Sequence, residues 1–149
     1  MSDSNRKIIT EAIIRMLARR EHSVVEILRK LTLKGYDERE CVPIVTELRE
    51  TGVQSDARFA EAKIRSLQHR GVGPVRLKNE LSQHDIDEDI INAAIAEADT
   101  DWFTLALAAK EKKFGLALPE DVKQRQKQMQ FLRYRGFTHS QIQYAINGE

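Results

Sequence analysis

Ile9, Ile13, Ile14 and Leu17 recur at three- and four-residue spacing, the signature of one buried helix face. Val24, Ile27, Leu28 and Leu31 repeat the pattern and predict a second helix. Ser23 and Glu26 stand at capping-box spacing: the hydroxyl accepts from the third backbone N–H while the carboxylate reaches back. Gly35 supplies a left-handed residue to end that helix, with Tyr36 placed to cover its last turn. Asp37 and Glu40 open a third helix by the same capping logic. Pro43 conflicts with a helix from Glu38, because it removes one internal hydrogen bond; a later start or a bend is expected.

This three-helix unit recurs. A shift of fifty residues places Ile14 on Ile64, Leu17 on Leu67, Arg20 on Arg70, Ile27 on Leu77 and Leu31 on Leu81. It also places Tyr36 on Ile86, Asp37 on Asp87, Cys41 on Ile91 and Val45 on Ile95. A further shift of fifty-one carries Leu81 to Leu132, Asp85 to Gly136, Ile86 to Phe137, Ile91 to Ile142 and Ile95 to Ile146. Matches confined to apolar and helix-ending positions are what a recurring supersecondary unit leaves in a sequence. The second unit starts at Ser55 or Asp56 and breaks at Gly71-Val72-Gly73-Pro74, where Pro74 suits a first helical position. The third starts near Asp101 and breaks at Gly115; Pro119, Glu120 and Asp121 are expected to open its next helix. Thr138 and Gln141 cap the last one.

The fold class is therefore all-α: an elongated tandem array of three three-helix repeats, spanning residues 8–52, 55–99 and 101–147. Gly and Pro number 7 and 3 in 149 residues, too few for a chain of short strands and turns. The apolar fraction of 41% supports buried cores, while no apolar run is long enough to span a bilayer. Residues Met1 to Thr10 lack an apolar stretch, so no secretion signal is read there and a cytoplasmic protein is expected.

Charge changes the picture only when read along the chain. The totals are 24 basic against 23 acidic residues, but residues 1–35 carry eight Lys/Arg and four Asp/Glu, and residues 36–55 two and five. Residues 56–84 carry six and three, residues 85–101 none and seven, and residues 102–149 eight and four. Alternating blocks of this kind suit a partner that is itself charged and repetitive. Arg19, Arg20, Arg29, Lys30 and Lys34 form the first basic cluster; Arg65, Arg70, Arg76 and Lys78 form the second. The third holds Lys110, Lys112, Lys113, Lys123, Arg125, Lys127, Arg133 and Arg135. In the acidic stretch Asp87 and Asp101 read as helix caps.

Catalytic chemistry finds no support. His22, His69, His84 and His139 are scattered, and Cys41 is the only cysteine, which excludes an internal disulfide and a Cys-based zinc site. Cys41 falls on an apolar repeat position and reads as core. There is no phosphate-binding GxxxxGK[ST] loop. No catalytic residue, metal or cofactor is expected. Phe59, Trp102, Phe114 and Phe131 read as core, Trp102 also as a bridge between the second and third units; Tyr134 reads as an exposed anchor.

Three segments carry a family pattern. Leu17-Ala18-Arg19-Arg20-Glu21-His22-Ser23 with Ile27-Leu28-Arg29-Lys30-Leu31 resembles the opening repeat of the RecX family of bacterial recombinase regulators. Asp56-Ala57-Arg58-Phe59-Ala60 with Arg70-Gly71-Val72-Gly73-Pro74-Val75-Arg76-Leu77-Lys78-Asn79-Glu80-Leu81 resembles that family's most specific central segment. Asp101-Trp102, Lys113-Phe114-Gly115 and Phe131-Leu132-Arg133-Tyr134-Arg135-Gly136-Phe137 are similar to its third. Together they span about Ala12 to Asn147. Gln54 and Ser55 depart from the family's usual apolar-acid pair, and His84-Asp85-Ile86 from its usual Lys-Gly-Ile ending.

The resemblance implies a monomeric regulator that binds RecA and its filament on DNA, and restrains filament growth, ATP hydrolysis, strand exchange and coprotease activity. The partner-facing positions expected on that reading are Arg19, Arg20, Arg29, Lys30, Arg65, Arg70, Arg76, Lys78, Lys123, Arg133, Tyr134 and Arg135. The alternative is a direct DNA-binding module of tandem helical repeats. Near-neutral net charge argues against it, and any direct DNA contact is expected to be weak and salt-sensitive.

Overall fold

A computed structural model describes residues 3–148; Met1, Ser2 and Glu149 lie outside the described residues, so the reading of Met1 to Thr10 is covered only in part. Among the described residues there are nine helices and no strand. They are α1 (Asp3–Arg19), α2 (Val24–Leu33), α3 (Glu38–Glu50), α4 (Asp56–His69), α5 (Pro74–Ser82), α6 (Glu88–Ala98), α7 (Trp102–Phe114), α8 (Val122–Tyr134) and α9 (His139–Asn147). All helix pairs in extensive contact lie within α1–α3, α4–α6 or α7–α9. The surface is correspondingly large: 9414 Å² for a 17.1 kDa chain, against about 7,800 Å² for a compact monomer of that mass.

Each triplet has its own core. Ile9, Ile13, Ile27, Leu31, Cys41 and Ile44 fill the first; Phe59, Ile64, Leu67, Leu77, Leu81 and Ile91 fill the second. Ala106, Leu132, Phe137, Ile142 and Ile146 fill the third. Trp102, the first residue of α7, packs against the second core and ties the third triplet to it through apolar surface. In the first helices the fifty-residue alignment is off by one. Ile13 is buried and Ile14 is 48% exposed, so Ile64 corresponds to Ile13. One residue turns a helix by about 100°, which is enough to swap a core position for a surface one.

Helix ends follow the capping pattern with four corrections, one being that Asp37 caps α3 through Arg39 N–H at 2.9 Å without a capping box to Glu40. Ser23 Oγ accepts from Glu26 N–H at 3.1 Å, but the Glu26 carboxylate turns to Arg20 instead of closing the box. Pro43 lies inside an uninterrupted α3 that starts at Glu38; it sits on the exposed face, where water can take the carbonyl its ring leaves unpaired. Pro119 stays outside α8, whose N-cap is Asp121, accepting from Gln124 N–H at 2.8 Å. Thr138 and Gln141 form the complete capping box. Asp87 and Asp101 cap α6 and α7. The Asp101 carboxyl is held below its ordinary pKa by the hydroxyl and backbone N–H of Thr104.

The second helix of every triplet ends in a left-handed residue at matching positions: Gly35 (φ 95°), Asp85 (φ 53°) and Gly136 (φ 94°). Gly35 has open space around it. A Cβ on Gly136 would meet Arg76 Cβ at 2.3 Å. Gly35→Ala is therefore expected to cost about 1–2 kcal/mol from backbone strain alone, and Gly136→Ala about 1–3 kcal/mol more from the collision; urea unfolding of both variants measures the difference. The third core carries a flaw of the opposite kind. Gln128 occupies the position of Ile27 and Leu77, is buried, and leaves its Oε1 without a partner. Gln128→Leu is expected to stabilise the protein by about 1 kcal/mol, read from the same unfolding curves.

Candidate interaction surfaces at the repeat junctions

The triplets are joined by one contact used twice. The N-terminus of each second helix meets the C-terminal turn of the next second helix along the chain. At the first junction Ser23, the N-cap of α2, lies 2.7 Å from His84 Nδ1 at the end of α5. At the second, Gly73, the N-cap of α5, donates its N–H to Arg135 O at the end of α8, at 2.8 Å. Ser23 and Gly73 match at a shift of fifty, His84 and Arg135 at fifty-one. These are therefore equivalent contacts, made by side chains in one place and by backbone in the other.

The first junction is polar and buried. The Ser23 hydroxyl accepts from Glu26 N–H, which leaves its proton for His84 Nδ1. Val24 N–H, an orphan donor of the first helical turn, finds Asp56 Oδ1 at 3.2 Å. Gln54 Nε2 donates to the same carboxylate at 2.9 Å and to His22 O at 3.1 Å, while its Oε1 is buried without a partner. Gln54 thus acts as a clasp between the first two triplets, which accounts for a polar residue where the family pattern has an apolar one. Arg58 closes the outside, donating to Glu21 Oε1 at 3.1 Å and to Gly52 O and Val53 O. The ring of His84 packs on Phe59 with centroids 4.7 Å apart.

The second junction is made by close backbone approach. Besides the Gly73 bond, Val75 N–H donates to Gly136 O at 2.9 Å, and Arg135 Nη1 donates to Arg70 O at 2.7 Å. A Cβ on Gly73 would stand 2.5 Å from the Gly136 carbonyl, so this contact requires glycine on both sides. Arg76 lies over the Tyr134 ring, 5.5 Å from its centroid, and donates to Glu80 Oε1 at 3.3 Å.

The expected partner-facing cations divide into groups. Arg19, Arg20 and Lys30 gather with Arg15 and Lys34 around a cleft of about 720 Å³ between α1 and α2, with His22 at its base and no carboxylate in the lining. Lys30 Nζ lies 2.9 Å from His22 Nε2. Arg70 and Arg135 gather with His69, Lys112 and Lys113 around a second cleft of about 320 Å³ at the junction of the last two triplets. Arg76 and Tyr134 form the adjoining stacked pair, with Tyr134 76% exposed. Arg29 borders a separate groove beside Asp85, and Lys78 another beside Glu88. Arg65, Lys123 and Arg133 are exposed and line none of these clefts. Lys110, grouped with the third basic cluster by sequence, is 2% exposed; its Nζ donates to Gly115 O and Ala117 O and holds the turn after α7.

Arg15 is the addition the structure makes, and Lys112 and Lys113 of the third basic cluster are the ones it brings to Arg70. Arg15 lies one turn before Arg19 on the same helix face, a spacing that helical periodicity makes readable. Nothing in the sequence puts Lys112 and Lys113 beside Arg70. Among the described residues no group of three His, Cys, Asp or Glu side chains is placed to hold a metal, and no helix is long and apolar enough to cross a membrane.

A tandem array of three-helix bundles, joined helix end to helix end and bearing basic clefts, defines a modular scaffold. Its three units match, in order, the first, second and third three-helix domains of RecX at residues 11–48, 55–95 and 99–146; the chain belongs to the RecX family. It is 39% identical over 137 residues to the regulatory protein RecX of Halorhodospira halophila, covering 92% of this chain and 85% of that one. It is also 39% identical over 139 residues to that of Vibrio parahaemolyticus, covering 93% and 90%. The fold is shared with a crystal structure of regulatory protein RecX (TM-score 0.81, 21% identity, 97% of this chain and 73% of that one). RecX from Lactobacillus salivarius gives a TM-score of 0.79 at 21% identity, covering 99% and 97%.

The first junction is also titratable. Burial pushes both His22 and His84 below the ordinary histidine pKa. His22 faces Arg20, Glu26 and Lys30; His84 faces Glu26, Lys63, Arg29 and Asp56. Glu26 is itself held low, because its hydrogen bond and attraction to Arg20 outweigh its burial. The unfolded chain therefore binds more protons than the folded one below the ordinary histidine value of 6.5. Stability is expected to be full above that pH and to fall as the pH drops toward 5. Denaturant melts of the His22→Gln, His84→Gln double variant are expected to lose most of that slope.

Proposed function

We propose that this chain binds RecA and RecA–DNA filaments and restrains filament growth, ATP hydrolysis, strand exchange and coprotease activity. The observation that carries this reading is the repeated junction, set beside membership of a family of regulatory proteins. An array built by applying one end-to-end contact twice presents similar units at regular steps, the geometry that suits a partner made of identical protomers. Two basic clefts, one on the first triplet and one between the last two, supply separate points of attachment. Several modest contacts on one scaffold raise the effective concentration of each next contact. The protein acts on this reading as a cytoplasmic monomer, by occupancy rather than by chemistry.

Direct DNA binding is a second reading, favoured by one feature: Arg15, Arg19, Lys30 and Lys34 line a cleft whose lining has no carboxylate. Co-sedimentation with RecA filaments on single-stranded DNA, beside the same DNA alone, separates the two. Recovery is expected with the filament and not with the DNA at physiological salt; equal recovery in both transfers the function to DNA binding. Arg19→Glu with Arg70→Glu is expected to weaken inhibition of RecA ATP hydrolysis at least tenfold while leaving the thermal midpoint within a few degrees. Arg76 is unsuited to that test, since reversing it also breaks its contacts with Glu80 and Tyr134.

A further inference from the structure

We propose that the cleft between the second and third triplets is a docking pocket for an acidic protein segment carrying one aromatic or branched aliphatic anchor. This deepens, and rests on, the reading of the basic junction as a surface that faces a protein. The pocket is built by three helices from two triplets: the end of α4, the outer face of α7 and the end of α8. Its apolar part consists of Leu105, Ala108 and Ala109, with Phe131 beside them. A volume of about 320 Å³ is at the small end of ligand clefts and admits one large side chain.

The rim is cationic, and among the described residues none of its cations is in an ion pair. His69, Arg70, Lys112, Lys113 and Arg135 surround the opening, and no acidic residue lines it. Among the described residues the ion pairs of this chain lie elsewhere, on Arg6, Arg20, Arg58, Lys63 and Arg76. An apolar floor inside an unbalanced positive rim calls for a ligand of the complementary design: a hydrocarbon group flanked by carboxylates.

A nucleobase fits the floor poorly. Phe131 would be the stacking platform, but its ring already has the Arg135 guanidinium 5.2 Å and the Lys113 ammonium 5.9 Å from its centroid, with Phe114 edge-on at 5.4 Å. Gln68, the one side-chain amide in the lining, is engaged with Thr100. With its one amide engaged and its one phenyl ring crowded, the apolar floor of Leu105, Ala108 and Ala109 suits an amino-acid side chain better than a base.

The test uses fluorescence anisotropy of the full chain with a labelled peptide Asp-Glu-Phe-Glu-Asp-Glu, the same peptide with Ser in place of Phe, and a twelve-residue oligothymidylate. The Phe peptide is expected to bind at least tenfold tighter than the Ser peptide. Ala108→Trp, which fills the pocket from an exposed helix position, and Lys112→Glu, which touches only the rim, are each expected to cost tenfold or more. Lys112→Glu keeps the test decisive if the Trp variant is unstable in thermal melts. Equal binding of the two peptides, indifference to both substitutions, no peptide binding, or oligothymidylate binding that is lost in the same variants would each overturn the proposal. Co-sedimentation keeps the two readings apart. A chain that pellets with filaments but ignores the Phe peptide removes the pocket alone; one that takes the peptide but does not pellet removes the filament reading alone.

Discussion

The first turn of an α-helix leaves backbone N–H groups without partners inside the helix, and this protein uses that need to join its parts. Val24 N–H at the start of α2 is satisfied by Asp56 of the next triplet, and Val75 N–H at the start of α5 by the Gly136 carbonyl of the one after. Each junction thus satisfies a donor that the start of a helix leaves without an internal partner. The helix dipoles act in the same sense, because the positive start of one second helix faces the negative end of the next. Three small cores that share little apolar surface become one array through these ends.

The two junctions solve the same problem with different chemistry. Glycines at Gly73 and Gly136 let the second close to backbone contact, so it carries no titratable group at its centre. Ser23 and Asp85 stand at the equivalent places of the first, and the space is filled by His84, Gln54 and Asp56. One junction is therefore closed by backbone contact between glycines, while the other is a hydrogen-bonded network that depends on neutral histidines. Trp102 adds apolar anchorage at the second junction only.

The same architecture explains why basic residues that look alike in the sequence have different roles. Lys110 is consumed by the turn after α7, Arg20 by Glu26, and Arg76 by Glu80 and Tyr134. Among the described residues Arg70, Lys112 and Lys113 form no ion pair, and they border a cleft that exists only because α4 and α7 belong to adjoining triplets. Charge segregation along the chain is thus a guide to where cations gather, and the junctions decide which of them remain available.

Periodicity, the fifty-residue repeat and capping residues together determined the nine helices found among the described residues, most of their caps and the left-handed stops at Gly35, Asp85 and Gly136, because these depend on residues a few positions apart or on a recurring unit. The one-residue error at Ile14 shows the limit: an alignment of repeats tolerates a slip that a helix face does not. The motifs of Arg70–Leu81 and Phe131–Phe137 were legible as family signatures, but not as two halves of one joint. Which cations meet across that joint, why Gln54 is polar and why Lys110 is buried were decided by tertiary structure. Those contacts link residues thirty or more positions apart, or depend on a turn whose path local propensity does not specify, so only the packed array brings them together.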